Sequence, residues 1–477
     1  MRTLHALLLA VTACASAVGC ARRTTLPPDH IAQIRSIAHR AIDDHGIVGL
    51  SIGIAIDGRT VFAEGFGHAD LARQHPATAD TIYDIASVGK QFTAAAVLRL
   101  AEQQRLSLDD RIRRFVPAAP DHFPDATISE LLHHTSGFVG GDLDELNPPP
   151  GLDQPRTGLA VLDDAELHEG RTVFAPSETW VYANPNYLLL GVAIEQASGK
   201  PYPDYIQSEL LRPAGILGMT VGDRADPPLM SGSFNKSDEG TSAVPLIHMS
   251  VYAGQGSVCS SVTDLLRWQR ALDDFRIISA ESIDFMRSPA IVHGTHASAT
   301  IPYGTAIRLG SFHGHPKLGH TGTYDGGSAV LANYPDARLT MTVLTNTNGK
   351  DIPHALALEA EIAALLLDVD PAASPSPQPI PANLARRIQG HYRGGYNIEA
   401  AVEDDQLLVK YNGNTVGREN MAPDQTFRNP DRPGEVSWFL ADGDAAGWWL
   451  LQRHGFLWDV VRRDAPHSNE PSNGHAP

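Results

Sequence analysis

Apolar and polar positions repeat along this chain in two rhythms, one helical and one alternating. Over residues 29–45, Ile31, Ile34, Ile37, Ala41 and Ile42 recur at helical spacing, which predicts an amphipathic surface helix. Residues 48–56 and 60–65 are strand-like runs joined by Asp57-Gly58, a dipeptide suited to a two-residue hairpin turn. The segment 87–103 is apolar nearly all round between positions 92 and 100, as a deeply buried helix is. Thr127-Ile128-Ser129-Glu130 has capping-box spacing and predicts a short helix ending near Gly137. Residues 186–198 form a further helical run closed by Gly199. Between these runs, 140–180 and 220–255 are rich in Gly, Pro, Asp and Ser and are expected to loop around a site. The strand rhythm returns at 328–334 and 339–346, separated by Pro335-Asp336-Ala337, and a last helix is predicted over 353–368.

Strands at both ends of a segment with helices between them predict an α+β domain. It is expected at 28–368, an antiparallel sheet flanked by helices with an inserted helical lobe. Residues 369–383 contain Pro-Ser-Pro-Gln-Pro-Ile-Pro and read as a semi-rigid linker. Short alternating runs over 384–463 predict a small C-terminal β-barrel or sandwich, with Trp448 and Trp449 in its core. The polar stretch 464–477 is expected to be disordered.

Composition narrows the function. With 37 basic and 55 acidic residues the formal net charge is −18, and no Lys/Arg-rich patch is present to meet phosphates. Nucleic acid is therefore not an expected partner, whereas a small molecule or peptide is. Arg2 followed by an apolar or small-residue run over 4–18 fits an export signal within 1–20 and is too short for a membrane span. Cys20, or alternatively Cys14, follows small residues as in bacterial lipoprotein processing sites. Plain cleavage after Ala15-Ser16-Ala17 is the competing expectation. Either way the product is an exported bacterial protein, periplasmic or anchored to the membrane by a lipid. Beyond that segment only Cys259 remains, so no internal disulfide is expected.

Three short elements carry candidate chemistry. Ser87-Val88-Gly89-Lys90 sets an amine one helical turn after a hydroxyl, where it can take the hydroxyl proton. Taken alone, the same spelling also fits an N-cap serine with a solvated lysine. Tyr182-Ala183-Asn184 offers a phenol for proton relay, or otherwise a packed aromatic, and an amide that can hold substrate and Lys90, while Asn184 before Pro185 equally suits a helix cap. His320-Thr321-Gly322-Thr323 precedes a strand, and its glycine lets a substrate approach the backbone.

In this order the three elements resemble the serine β-lactamase and penicillin-binding protein family, in its class C-like, D-alanyl-D-alanine carboxypeptidase and esterase branch. Ile85-Ala86-Ser87, Leu132-His133-His134-Thr135-Ser136-Gly137 and Tyr187-Leu188-Leu189-Leu190-Gly191 extend the resemblance across roughly 30–368. It implies an acyl-enzyme on Ser87, with Lys90 and Tyr182 as the proton-transfer pair. The amides of Ser87 and Thr323 would form the oxyanion hole, and Asn184, His320, Thr321 and Gly322 would line the substrate. Arg308 stands where some carboxypeptidases hold a substrate carboxylate, or is an exposed strand arginine. No cofactor and no metal are implied. The C-terminal module resembles small lipocalin-like domains of such hydrolases, through Gly390-His391-Tyr392 and Phe427.

Two departures shift the substrate expectation. His320 replaces the lysine typical of class C β-lactamases and would be mostly neutral at pH 7. Pro176-Ser177-Glu178 stands where relatives usually have Pro-Gly-Glu. Gly49-Leu50-Ser51-Ile52-Gly53 spells a nucleophile elbow, yet the strand continues through it, so Ser51 is expected to be structural. His313, His315 and His168-Glu169 lack metal-ligand spacing. The leading expectation is hydrolysis of D-amino-acid peptides. A carboxylesterase or weak β-lactamase with the same site, and a catalytically silent cell-wall sensor, are the alternatives.

Overall fold

The computed structural model describes residues 25–463 apart from 72–73, 118, 120, 122, 124, 140–150, 163–170, 225–228, 246, 371–374, 394–396, 412–413 and 433. Cys14, Cys20, His168, Glu169 and the stretch 464–477 lie outside the described residues. Helix α1 (Pro28–Asp43) turns Ile34, Ile37, Ala38 and Ala41 inward. Strands β1 (Gly49–Ile56) and β2 (Arg59–Asp70) form the expected hairpin, with φ of 52° at Asp57 and 70° at Gly58. That pair of positive angles matches the right-handed twist of the flanking strands.

Five more strands complete an antiparallel sheet with these two: β3 (His75–Pro76), β4 (Arg308–Phe312), β5 (His315–Tyr324), β6 (Gly327–Tyr334) and β7 (Leu339–Thr345). Their order is β4-β5-β6-β7-β1-β2-β3, so the two ends of the domain meet where β7 pairs with β1, Val343 opposite Ile52. On one face Leu50, Ile52 and Ile54 pack with α1 and with helix α5 (Ala355–Leu367). On the other face a side chain at Gly53 would meet Thr342, Val262 and Leu266 within 3.0–3.2 Å, so glycine admits helix α4 (Val262–Asp273). Helices α2 (Lys90–Glu102) and α3 (Asn184–Ser198) belong to this second core, the inserted helical lobe. Ser51 is buried in β1, donates to the Thr78 carbonyl at 2.7 Å and lies 2.9 Å from Tyr83 Oη, as a structural serine would.

Several boundaries differ from expectation for local reasons. The helix expected from 87 begins as an Ala86–Gly89 3₁₀ turn, and regular α-helix starts at Lys90. The Thr127 capping box is complete, but its helix stops at Leu132, because His134 takes a φ of +57° that no α-helix allows. Within the loop-rich 220–255, Phe234–Ser237 and Gly240–Ala243 pair as a hairpin beside Thr347–Gly349. Ser177 has a φ of +63°, which explains why glycine suits that position. Its hydroxyl donates to Glu130 at 3.0 Å.

The C-terminal strands close into an eight-stranded barrel: β8 (Gly390–Arg393), β9 (Asn397–Glu403), β10 (Gln406–Tyr411), β11 (Asn414–Met421), β12 (Phe427–Arg428), β13 (Glu435–Asp442), β14 (Ala445–Arg453) and β15 (Phe456–Arg463). Helix α6 (Ala382–Ile388) starts inside the Pro-rich stretch and sets Ile388 in the barrel core. Side chains alternate across a strand, and the tandem tryptophans show it. Trp449 joins Tyr392 and Phe427 inside, whereas Trp448 points outward and is buried against Trp180 and Tyr303 of the first domain.

Polar contacts fasten the barrel as well. The Asp442 carboxylate accepts the N–H groups of Thr295, His296 and Ala297 at 2.6–2.9 Å. Arg462 pairs with Glu178, and Gln452 donates to the Ser311 carbonyl at 2.9 Å. At the β14–β15 turn, Phe456 enters the first domain's core, and Lys317 donates to the His454 carbonyl at 2.8 Å.

Candidate active site

Ser87 sits on the 3₁₀ turn, half-buried, and Lys90 opens α2 with no exposed surface. The Lys90 Nζ lies 3.0 Å from Ser87 Oγ, 2.8 Å from Asn184 Oδ1 and 2.7 Å from the Gln255 carbonyl oxygen. All three are oxygens that can accept from an ammonium. A free amine in the same place would instead accept the Ser87 hydroxyl proton. The Tyr182 ring centroid lies 5.1 Å from Nζ and that of Tyr187 5.6 Å.

Asn184 is the first residue of α3, and the cap position belongs to Ala183, which has no capping side chain. The Asn184 amide oxygen accepts from Lys90. Tyr182 rides on the extended approach to α3, and His134 fixes both sides of it. The Val181 N–H donates to the His134 carbonyl at 3.0 Å, and the Ala183 N–H donates to His134 Nδ1 at 3.2 Å. The imidazole also packs on the Tyr182 ring at 4.4 Å. Burial, then the charge of Lys90, keeps its pKa well below 6.5, so it stays the neutral acceptor this bond needs.

Strand β5 brings the third element alongside. A side chain on Gly322 would fall 2.1 Å from the Ile85 carbonyl oxygen and 3.1 Å from the Ser87 nitrogen. Only glycine lets the strand lie flush against the serine turn. His320 is wholly buried, and burial followed by Arg308 and Lys90 holds its pKa well below 6.5. Its Nδ1 faces the Thr321 carbonyl at 2.6 Å and must carry the proton, so Nε2 accepts from the Tyr303 hydroxyl at 3.0 Å. Thr321 is buried beside it, and Thr323 at the rim has its hydroxyl 2.7 Å from His354 Nε2.

Arg308 is not an exposed strand residue. It is 6% exposed, donates to the Leu457 carbonyl of the barrel, and lies 5.4 Å from the Tyr182 ring and 5.5 Å from that of Trp458. Burial beside it raises the Asp459 carboxyl to about 6, against the pull of Arg308 and Arg453. The barrel therefore closes one side of the site through Leu457 and Trp458. Ser87, Lys90, Tyr182, Asn184, His320 and Gly322 come together as expected. His134, Gln255, Tyr303 and the barrel wall are additions. His313 and His315 are elsewhere, at the β4–β5 turn, where His315 meets Asp336 at 2.8 Å.

A profile of the Beta-lactamase family matches residues 34–364. The chain belongs to that family. Over 317 residues it is 29% identical to Penicillin-binding protein 4* of Bacillus subtilis (strain 168), an alignment covering 61% of this chain and 66% of that protein. It is 26% identical over 300 residues to a D-aminopeptidase of Brucella anthropi, covering 62% and 56% of the two chains. These alignments span just under two thirds, or less, of the relatives' own length. Among solved structures, the octameric penicillin-binding protein homologue from Pyrococcus abyssi superposes with a TM-score of 0.60 at 23% identity, over 91% of this chain and 100% of that one. The D-amino acid amidase from Ochrobactrum anthropi SV3 gives 0.59 at 21%, over 70% and 98%. At that identity the structures speak for the fold: an antiparallel sheet with flanking helices.

Proposed function

We propose that this chain is a serine hydrolase that acylates Ser87 and cleaves amides or esters of D-amino acids and their peptides. One observation carries the reading: the amine of Lys90 is held 3.0 Å from Ser87 Oγ by the fixed oxygens of Asn184 and Gln255. As Oγ bonds to the substrate carbonyl carbon, the free amine of Lys90 takes the hydroxyl proton. The carbonyl electron pair moves onto oxygen, where the N–H groups of Ser87 and Thr323 receive the charge. Collapse breaks the bond to the leaving group, which collects a proton passed from Lys90 through Tyr182. Water then cleaves the acyl-enzyme by the same proton route in reverse.

The substrate class is supported by the names of two relatives, a D-aminopeptidase and a D-amino acid amidase. Neutral His320 and barrel-bound Arg308 leave a substrate carboxylate without a ready cation among them. That favours D-amino-acid amides over carboxyl-terminated peptides and β-lactams. Export, with Cys20 or Cys14 lipidated, belongs to the same proposal; palmitate labelling lost in Cys20→Ser or Cys14→Ser checks it.

The deciding experiment is labelling by a fluorescent fluorophosphonate in wild type and Ser87→Ala, followed by a substrate panel. Label on wild type alone, with turnover of D-amino-acid nitroanilides and nitrophenyl esters, is expected. Absence of label and of turnover would point to the silent-sensor alternative. Fast cephalosporin hydrolysis would make it a β-lactamase.

A further inference from the structure

The residue before the nucleophile has an unusual backbone. Ala86 takes a φ of +44°, in the left-handed region that costs any residue with a side chain. Such angles persist only where surrounding contacts impose them. Asp84 supplies one such contact. The Asp84 carboxylate folds over the turn and accepts the Ala86 N–H through Oδ1 at 2.8 Å. Asp84 is 5% exposed, and burial raises its pKa while the Arg224 guanidinium opposes the rise. Arg224 Nη2 stands 3.9 Å from Oδ2, so the two carboxylate oxygens have separate tasks. On the other side, Gly256 crowds the Ala86 backbone, where a Cβ would come within 3.3 Å of the carbonyl group.

We infer that Asp84 is a positioning residue for Ser87, acting through the Ala86 backbone. The inference rests on Ser87 being the nucleophile. Rotating Ala86 out of the left-handed region would reorient the next peptide group, which includes the Ser87 N–H. It would also swing Oγ away from Lys90 and from the flush edge at Gly322. Asp84 therefore holds the serine in attack geometry without touching substrate, and Arg224 faces its other carboxylate oxygen.

The measurement is the fluorophosphonate labelling rate of the full chain, separated into apparent affinity and rate at saturation, with melting temperature followed alongside. Asp84→Ala is expected to lower the saturating rate tenfold or more with little change in apparent affinity. Asp84→Asn keeps an oxygen acceptor and is expected within about threefold of wild type. The discriminating chain is Asp84→Ala combined with Ala86→Gly, because glycine adopts positive φ without help. It is expected to recover to within about threefold of wild type, a rescue that a general loss of stability would not give. Should Asp84→Ala alone fail to fold, the double variant is compared directly with wild type, and a tenfold deficit there overturns the inference. A single variant that labels like wild type, or a deficit that glycine leaves unrepaired, overturns it too. If wild type itself takes no label, the acyl-enzyme reading fails and this inference falls with it.

Discussion

Two lysines among the described residues are completely buried, and they live in opposite surroundings. Lys90 meets a serine hydroxyl, an amide oxygen and a backbone carbonyl, with two tyrosine rings at 5.1 and 5.6 Å. Lys317 meets the equally buried Glu359 carboxylate at 2.6 Å, which also accepts from Tyr334 at 2.7 Å. The faces of Phe456, Phe312 and Tyr334 surround it at 4.5, 5.4 and 5.6 Å. Burial pulls the Lys317 pKa down, and the carboxylate pulls it back. A lysine locked to a carboxylate is a structural rivet, because giving up its proton would strand the opposite charge. The three oxygens around Lys90 are neutral, so in those contacts giving up its proton would strand no opposite charge.

The sharpest way to break this contrast is to remove each amine. Lys90→Met is expected to cut fluorophosphonate labelling by about 10³-fold or more, on the scale of a lost general base, while the melting temperature moves little. Equal loss of fold and rate would erase the distinction. On the other side, Glu359→Gln strands the Lys317 charge and should cost roughly 3–5 kcal/mol in chemical denaturation. Adding Lys317→Met should return most of that, since a buried pair is often replaceable by apolar groups. A double variant no better than the single would show that the pair is more than a matched charge.

Acid sharpens the contrast next. Burial holds His354 and His454 to about 4, with Arg453 adding to both and Lys317 to His454. In the unfolded chain histidine titrates near 6.5, so below that value the unfolded state binds more protons. Stability contributed by these neutral rings is complete above 6.5 and is lost as pH falls towards 4. The melting temperature should therefore be lower at pH 5 than at pH 7, and the gap should shrink in His454→Gln. A gap of the same size in that variant would remove the barrel turn from the account. The smallest effect is expected for Phe456→Leu, about 1–2 kcal/mol, from losing the closest aromatic face over Lys317. Unchanged stability would show that the Phe456 face contributes nothing to holding the ammonium.

Legibility in the sequence followed the range of each interaction. Ser87 and Lys90 are three residues apart, and helical spacing alone brings them to one face. Tyr182, Asn184 and Gly322 lie far off in sequence and were legible through their family order. Asn184 was also readable as a helix cap, and only the fold assigns its amide to Lys90. Gln255 contributes a backbone carbonyl, which leaves no trace in side-chain identity. His134 stood inside a motif that matched without explaining itself; its left-handed backbone and its bond to Ala183 appear only in three dimensions. The docking of Trp448 and the capture of Arg308 by Leu457 depend on how two domains meet, which no local pattern encodes.

The last barrel strand has a consequence for the order of assembly. β15 closes the barrel by pairing with β14 and with β8, and the same strand carries Leu457 and Trp458 to Arg308. During synthesis the Ser87 turn leaves the ribosome hundreds of residues before this wall exists. A chain stopped short of 456 would carry the nucleophile motif and lack one side of its site. Synthesis through β15 is thus a condition for the complete wall beside Arg308.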